Sequence, residues 1–451
     1  VVGDINNDGL EDFFVGNATG EKASIYIQTK AGNFIETNKN LFASEKQFED
    51  TDADFLDIDN DGDLDLYVTS GGYEIKNESK LLQDRLYINN GKGNFKKRST
   101  PIITNNTKGI AFADFDKDGD QDIFVGSNVK HGQYPLSDKP YFLENKNGVY
   151  TNVIDEKFDD VSHLGIINDA VFSDFDNDGD EDLIIVGEWM AITFYENKEN
   201  SYHLKAIKEI TNLKGWFQTI TAADLDSDGN IDYIIGNWGQ NNKFHPTKEN
   251  PLHIYADYFD DNDSFDIALS KVSKTGGLLP IRGKECSTQQ TPFLNKKVKT
   301  FKEFATFTMA DIYGSEKLEN ATHFITHSFA SIILRNKGNG HFEVQELPKE
   351  AQFSPTLGIE VCDVNNDGLL DIFGVGNVND AEVETIRYDA SKGYVLLGND
   401  AGNYRFLNDN SYFNDNEAKA IKKITIKGFL HFIILNKNHK LNLLKLKKVD
   451  I

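Results

Sequence analysis

Apolar residues along the chain fall in short runs, rich in β-branched and aromatic types, that alternate with clusters of Asp, Asn and Gly. The runs Ile110-Ala111-Phe112 and Ile123-Phe124-Val125-Gly126, read with period two, predict two strands on either side of an acidic loop. Each unit then predicts a connection and a hairpin, as in Leu86–Phe95, Tyr141–Tyr150, Ile333–Phe342 and Val395–Tyr404. The turns of these hairpins carry the Asn and Gly that tight turns require. Strand, acidic loop, strand, connection, strand, turn, strand is the plan of a four-stranded antiparallel blade. Repeated at about fifty residues, it predicts an all-β fold, a β-propeller.

Full acidic loops mark five consecutive units and one later unit. Ala321–Leu347 reads as a further blade without its loop. Ala420–Ile426, Phe429–Leu435 and Leu441–Leu446 read as a metal-free blade of three strands, whose fourth would come from upstream of Val1. The expectation is eight blades, with seven as the alternative if 321–347 only extends a neighbour. Residues 272–326 break the rhythm. Phe301, Phe304, Phe307 and Ile312 lie near helical spacing there, which predicts an insertion with a helix packed on the propeller.

The loops share one pattern: Asp or Asn at positions one, three, five and nine, and Gly at six. The first copy has Asp4, Asn6, Asp8, Leu10 and Asp12 at positions one, three, five, seven and nine. The same positions hold Asp57, Asp59, Asp61, Asp63 and Asp65 in the second copy, and Asp114, Asp116, Asp118, Asp120 and Asp122 in the third. The fourth has Asp174, Asp176, Asp178, Asp180 and Asp182, and the fifth Asp224, Asp226, Asp228, Asn230 and Asp232. The last has Asp363, Asn365, Asp367, Leu369 and Asp371. Calcium takes six to eight oxygens in a compact shell. Alternate carboxylates supply them if the chain turns sharply at the glycine, with the position-seven carbonyl and the position-nine carboxylate completing the shell.

An EF-hand needs Glu at position twelve between two helices. Here that position is Val15, Val68, Val125, Ile185, Ile235 and Gly374, so the helical reading fails. Plain Asp-Gly turns would leave four or five carboxylates repelling one another in each copy. Magnesium prefers fewer protein ligands. The pattern therefore predicts about six bound Ca2+ ions. Tyr258–Asp266 departs from it, with Asp263 in the glycine place and the first carboxylate displaced to Asp257, and reads as an acidic hairpin turn.

A net charge of −25 over 451 residues, concentrated in the loops and without a basic stripe, excludes nucleic acid as a partner. No apolar run is long enough to predict a transmembrane segment. Cys286 and Cys362 stand far apart in sequence and imply no disulfide framework, with Cys362 expected as a buried thiol. The chain starts within a strand at Val1-Val2-Gly3, so it reads as one propeller over 1–451 taken from a larger exported protein.

The loops followed by Phe14-Val15-Gly16, Phe124-Val125-Gly126 or Ile185-Val186-Gly187 resemble FG-GAP/VCBS repeats, the blades of integrin α-like propellers. Gly9–Gly16, Asp84–Tyr87, Gly187–Met190, Gly236–Gly239 and Arg387–Ala390 extend the likeness to the C-terminal propeller of bacterial repeat proteins that carry an ASPIC/UnbV domain, itself absent here. The resemblance implies a calcium-binding propeller on an extracellular, outer-membrane-surface or periplasmic bacterial protein. It supplies no activity.

In a propeller the acidic loops and hairpin turns share one face, and the longer connections share the other. His131, Tyr134, Trp189, Trp238, His245, Arg282, Arg387 and Tyr388 fall on that second face, as does the 272–326 insertion. Aromatic rings beside Arg and Asn suit a glycan or a protein partner. The expected function is a calcium-stabilised binding module. The alternative is a lyase-like, polysaccharide-active enzyme, which needs a base and a cation at one sugar carbon. No spacing motif joins His131, His245 and Arg387 into such a site, and no nucleophile elbow, phosphate loop or zinc pattern is present. A deep pocket gathering His, Tyr and Arg would favour the enzyme, and a broad face the module.

Overall fold

The structure, a computed structural model, describes residues 1–260, 262–274, 276–381, 385–408 and 414–445. Among them are eight antiparallel sheets. Seven succeed one another along the chain, the third for example as Thr107–Ala113, Asp122–Ser127, Tyr141–Lys146 and Val149–Asn152. The seventh has three strands, Ala418–Ile426, Phe429–Asn436 and Asn442–Lys445, as the alternation there predicts. Leu446 lies outside the described residues.

Second strands such as Asp65–Ser70, Asp122–Ser127 and Asp371–Gly376 are buried along their whole length. A blade is covered on both faces by its neighbours, so apolar residues fill consecutive positions there and alternation gives way to continuous runs. Each successive pair of sheets shares a core. Leu66, Val68 and Tyr87 meet Phe14 and Ile25 between the first two, and Phe373 and Val375 meet Phe432 and Ile434 between the last two. Ile424, Ile426 and Ile433 of the seventh sheet then pack on Phe13, Val2 and Val15 of the first. Gln28 Nε2 donates to the Thr425 carbonyl across the same seam, at 3.1 Å. Glycines allow the close approach of blades: a Cβ at Gly236 would lie 2.5 Å from the Thr356 carbonyl oxygen of the next blade.

The eighth sheet is not a blade of this series, which corrects the reading of 321–347. Thr322–Thr326 pairs with Leu252–Asp257 in an inserted sheet of order 278–280, 266–272, 252–257, 322–326. Ile332–Asn336 and Phe342–Glu346 instead complete the fifth blade, pairing with Asp232–Gly236. Sequence alone missed it because the two outer strands of that blade follow its inner pair only after the whole insertion.

The insertion carries five short helices between Lys284 and Asn320. The stretch Phe301–Tyr313 divides, because Thr308 and Asp311 form a capping box that starts a new helix at Met309. Phe304 and Ile312 are buried together with Leu294 and Val298, whereas Phe301 is exposed. Neither cysteine forms a disulfide. Cys362 is half-buried, and burial pushes its thiol up to about 11.

Candidate metal centre

Each acidic loop is drawn tight by its own backbone. In the first, Asp4 accepts the N–H groups of Asp8 and Gly9 at 3.2 and 2.8 Å, Asn6 accepts Asp8 N–H at 3.0 Å, and Asp8 accepts Leu10 N–H at 2.9 Å. The loops at Asp174 and Asp363 repeat this pattern in its main bonds. The glycine at position six has φ between 82° and 96° in all six copies. Position four is also left-handed, with φ between 57° and 64°, and Asn holds it in four copies because Asn tolerates that region.

Position nine is the most enclosed. Asp12, Asp65, Asp122, Asp182, Asp232 and Asp371 are each at most 1% exposed. One oxygen of each accepts a backbone N–H from the end of the third strand, as Asn145 N–H reaches Asp122 Oδ1 at 2.7 Å. In five copies the other oxygen accepts the position-two N–H, as from Phe115 at 3.2 Å. Burial pushes these carboxyls up, Asp12 to about 6, Asp65 and Asp122 to about 7, and Asp182 to about 8.

Carboxylates at four loops converge within 4.8 Å of one another: Asp57, Asp59 and Asp61; Asp114, Asp116 and Asp122; Asp174, Asp176 and Asp182; and Asp224, Asp226 and Asp228. The first and last loops carry Asn at position three and so bring fewer carboxylates together. Asp114 Oδ1 and Asp176 Oδ1 are buried without a hydrogen-bond partner. Hard, clustered, partly unsatisfied oxygens fit a hard divalent cation, which when bound would neutralise the carboxylates and cross-link the loop.

The loops are also tied to one another. The position-four side chain of one loop donates to position seven of the next: Asn7 to Asp63 and Asn60 to Asp120 at 2.6 Å each, Lys117 to Asp180, and Asn177 to Asn230 at 2.8 Å. A second tie comes from the asparagine that ends the third strand. Asn89, Asn145, Asn197 and Asn336 donate from Nδ2 to the position-two carbonyls of Ile5, Ile58, Phe115 and Phe175 in the preceding blade, at 2.7, 2.9, 3.1 and 2.8 Å. Sequence reading took these asparagines for turn residues. Their recurrence at the start of each hairpin turn was the available signal.

The loop at Tyr258 joins two paired strands of the inserted sheet. Asn262 N–H meets Asp260, Ser264 N–H meets Asn262, and Asp263 takes φ 59° in the glycine place. Asp261 lies outside the described residues.

On the opposite face the structure gathers Tyr134, Trp189, Trp238 and Tyr388 into one aromatic run. Trp189 meets Trp216 at 5.1 Å, Trp216 meets Trp238 at 5.5 Å, and Trp238 meets Tyr388 at 5.3 Å. Trp189 Nε1 donates to the Tyr134 hydroxyl at 2.7 Å, which donates to Glu188 at 3.2 Å. The inserted sheet sits on this run through Leu252, Ile254, Leu269 and Phe324, so the rings serve as its seat. Trp189 holds φ 63°, a strained value for a bulky residue, at the irregularity where its strand turns from one partner to the next. His131 places Nδ1 2.6 Å from the Tyr73 carbonyl, and Arg282 donates to Gln290 at 2.8 Å within the insertion. His245 and Arg387 are exposed. Two clefts, of about 320 and 430 Å³, are lined by none of these eight residues.

With this geometry in place, comparison with known proteins identifies the repeats. The FG-GAP-like repeat model matches residues 4–68, 76–125 and 174–235. The chain carries FG-GAP-like repeats. The loop at Asp363 lies outside the matched residues yet makes the same hydrogen bonds as the FG-GAP-like loop at Asp4. No curated protein matches the chain. Solved structures similar to it include the V. cholerae biofilm matrix protein Bap1, at 11% identity and a TM-score of 0.38, covering 99% of this chain and 87% of that one. BBS1N in complex with ARL6DN is similar at 11% identity and a TM-score of 0.32, covering 89% and 97%. Among the described residues no helix is long and apolar enough to cross a membrane.

One histidine pair sets a pH limit on the inserted sheet. His253 Nδ1 lies 2.9 Å from His323 Nε2, and Tyr255 stacks on His323 at 4.2 Å. Burial, then His323 and His327, lowers His253 to about 4, while burial and Lys214 lower His323. An unfolded histidine takes its proton near 6.5, so between about 6.5 and 4 the unfolded state binds more protons. The stability these residues give is present above that window and lost as pH falls through it. Hydrogen exchange of 252–257 and 322–326, corrected for intrinsic rates, is expected to accelerate between pH 7 and 5 more than in the blades. Equal change in both would refute the assignment.

Proposed function

We propose that this protein is a calcium-stabilised module that binds a glycan or a protein in an extracellular, cell-surface or periplasmic setting. Its six loops would take about six calcium ions and fix the blades, and its partner would bind the opposite face. The observation that carries this reading is the division of labour between the faces. The acidic loops are alike in length and spend their side chains on their own turns and on neighbouring loops. The longer connections on the other face expose Tyr73, His245, Tyr258 and Arg387. The enzyme alternative needs a base and a cation beside one sugar carbon, and neither cleft gathers His131, His245 and Arg387.

Screening the purified chain on a glycan array, and against candidate protein ligands, gives the partner class. Replacing His245 and Arg387 together by Ala is expected to weaken binding at least about tenfold with melting unchanged. Trp238→Ala, by contrast, should lower the melting temperature, because that ring packs on Trp216 and Tyr388. Undiminished binding in the double variant, with binding lost on altering the turns at Asn90 or Asn339, would place the partner on the calcium face instead.

A further inference from the structure

The residue just before each clasping asparagine differs from blade to blade: Ile88, Glu144, Glu196 and Arg335 in the second to fifth. Glu196, 6% exposed, lies against the Asp176 carboxyl group of its own loop. A buried and a half-buried carboxyl group in contact call for a cation or a proton between them, and Asp176 Oδ1 has no hydrogen-bond partner. Lys198 and Lys205 hold the outer side of Glu196 at 2.7 and 2.8 Å. Glu144 occupies the same place beside the third loop, bonded to Lys146.

The fifth blade reverses the charge. Arg335 is 4% exposed, and its Nη1 donates to Asp232 Oδ2 at 2.8 Å, where the other five loops use the position-two N–H. Its Nη2 donates to the Gly402 carbonyl at 2.7 Å, which holds the guanidinium in place.

We propose that this position sets the calcium affinity of its loop, Glu196 strengthening the fourth site as an extra buried carboxylate and Arg335 weakening the fifth. Calcium affinity in oxygen sites is tuned by ligand charge and rigidity, and a guanidinium fixed on the position-nine carboxylate removes one negative charge from the set. The inference rests on the calcium reading above.

Native mass spectrometry of the whole chain across a free-calcium series tests both and separates them. The ion removed by Asp228→Asn is expected to be one that leaves at higher free calcium than the ion removed by Asp178→Asn. Glu196→Gln should weaken one tightly held ion about tenfold, and Arg335→Gln should tighten the ion that Asp228→Asn removes by a similar factor. If Arg335→Gln does not fold, the Asp228→Asn and Asp178→Asn series still ranks the two loops. Loss of a tightly held ion in Asp228→Asn, or unchanged steps in both Glu196→Gln and Arg335→Gln, overturns the ranking alone. A wild-type chain that binds no calcium overturns the calcium reading itself.

Discussion

Removing calcium with excess chelator is expected to lower the melting temperature by more than about 10 °C. Each filled site stabilises the folded chain by about 4 kcal/mol when free calcium exceeds its dissociation constant a thousandfold. Several such sites would act together here, because the loops are linked side by side through Asn7, Asn60, Lys117 and Asn177. Without the ion, half-buried carboxylates such as Asp114 and Asp176 each keep one buried, unsatisfied oxygen next to further negative charge. Asp118→Ala should cost more than Asp155→Ala, since Asp155 is exposed and pairs with a surface lysine. Scanning calorimetry with and without chelator measures the effect, and an unchanged transition would mean the loops are plain turns.

Asn145→Ala should cost about 3 kcal/mol, by far more than its neighbours in the same type of turn. Its Nδ2 reaches the Ile58 carbonyl of the preceding blade at 2.9 Å, and its Oδ1 accepts Gly148 N–H at 2.8 Å. Truncation leaves a buried carbonyl and a buried N–H unpaired, at ~1–3 kcal/mol each. Asn90→Ala, at an exposed turn position, should stay within about 0.5 kcal/mol. Urea unfolding of the two variants compares them directly. A cost at Asn145 no larger than at Asn90 would show that the clasp adds nothing to blade cohesion.

Much of this was legible in sequence, for reasons that differ by residue. The blades could be read because Gly119 and its equivalents are needed wherever carboxylates wrap, so the pattern survives even where Leu10 or Leu369 replaces an acid. The fifth blade could not be read in the same way. Its second and third strands are adjacent in space, but an entire sheet and five helices lie between them in the chain, and periodicity carries no information on pairing across such a gap. Trp189 and Trp238 looked like surface binding residues because their loops lie on the open face. Which aromatic side chains there meet solvent was decided by where the inserted sheet came to rest, a tertiary fact. Glu196 and Arg335 were invisible for a related reason: they lie outside the nine-residue pattern and reach their loops only through strand pairing.

The placement of that insertion has a consequence for synthesis. Asp232–Gly236 emerges from the ribosome with its outer edge open, and its partner Ile332–Asn336 follows about a hundred residues later, which at ~5–20 residues per second is a wait of roughly 5–20 s. During that interval Tyr233, Ile234 and Ile235, fully buried in the finished protein, belong to a half-made blade with an unpaired strand edge. Slowing the insertion's own folding would prolong this exposure, so variants weakened there should lower the yield of native chains by nascent-chain aggregation even where the mature protein remains stable.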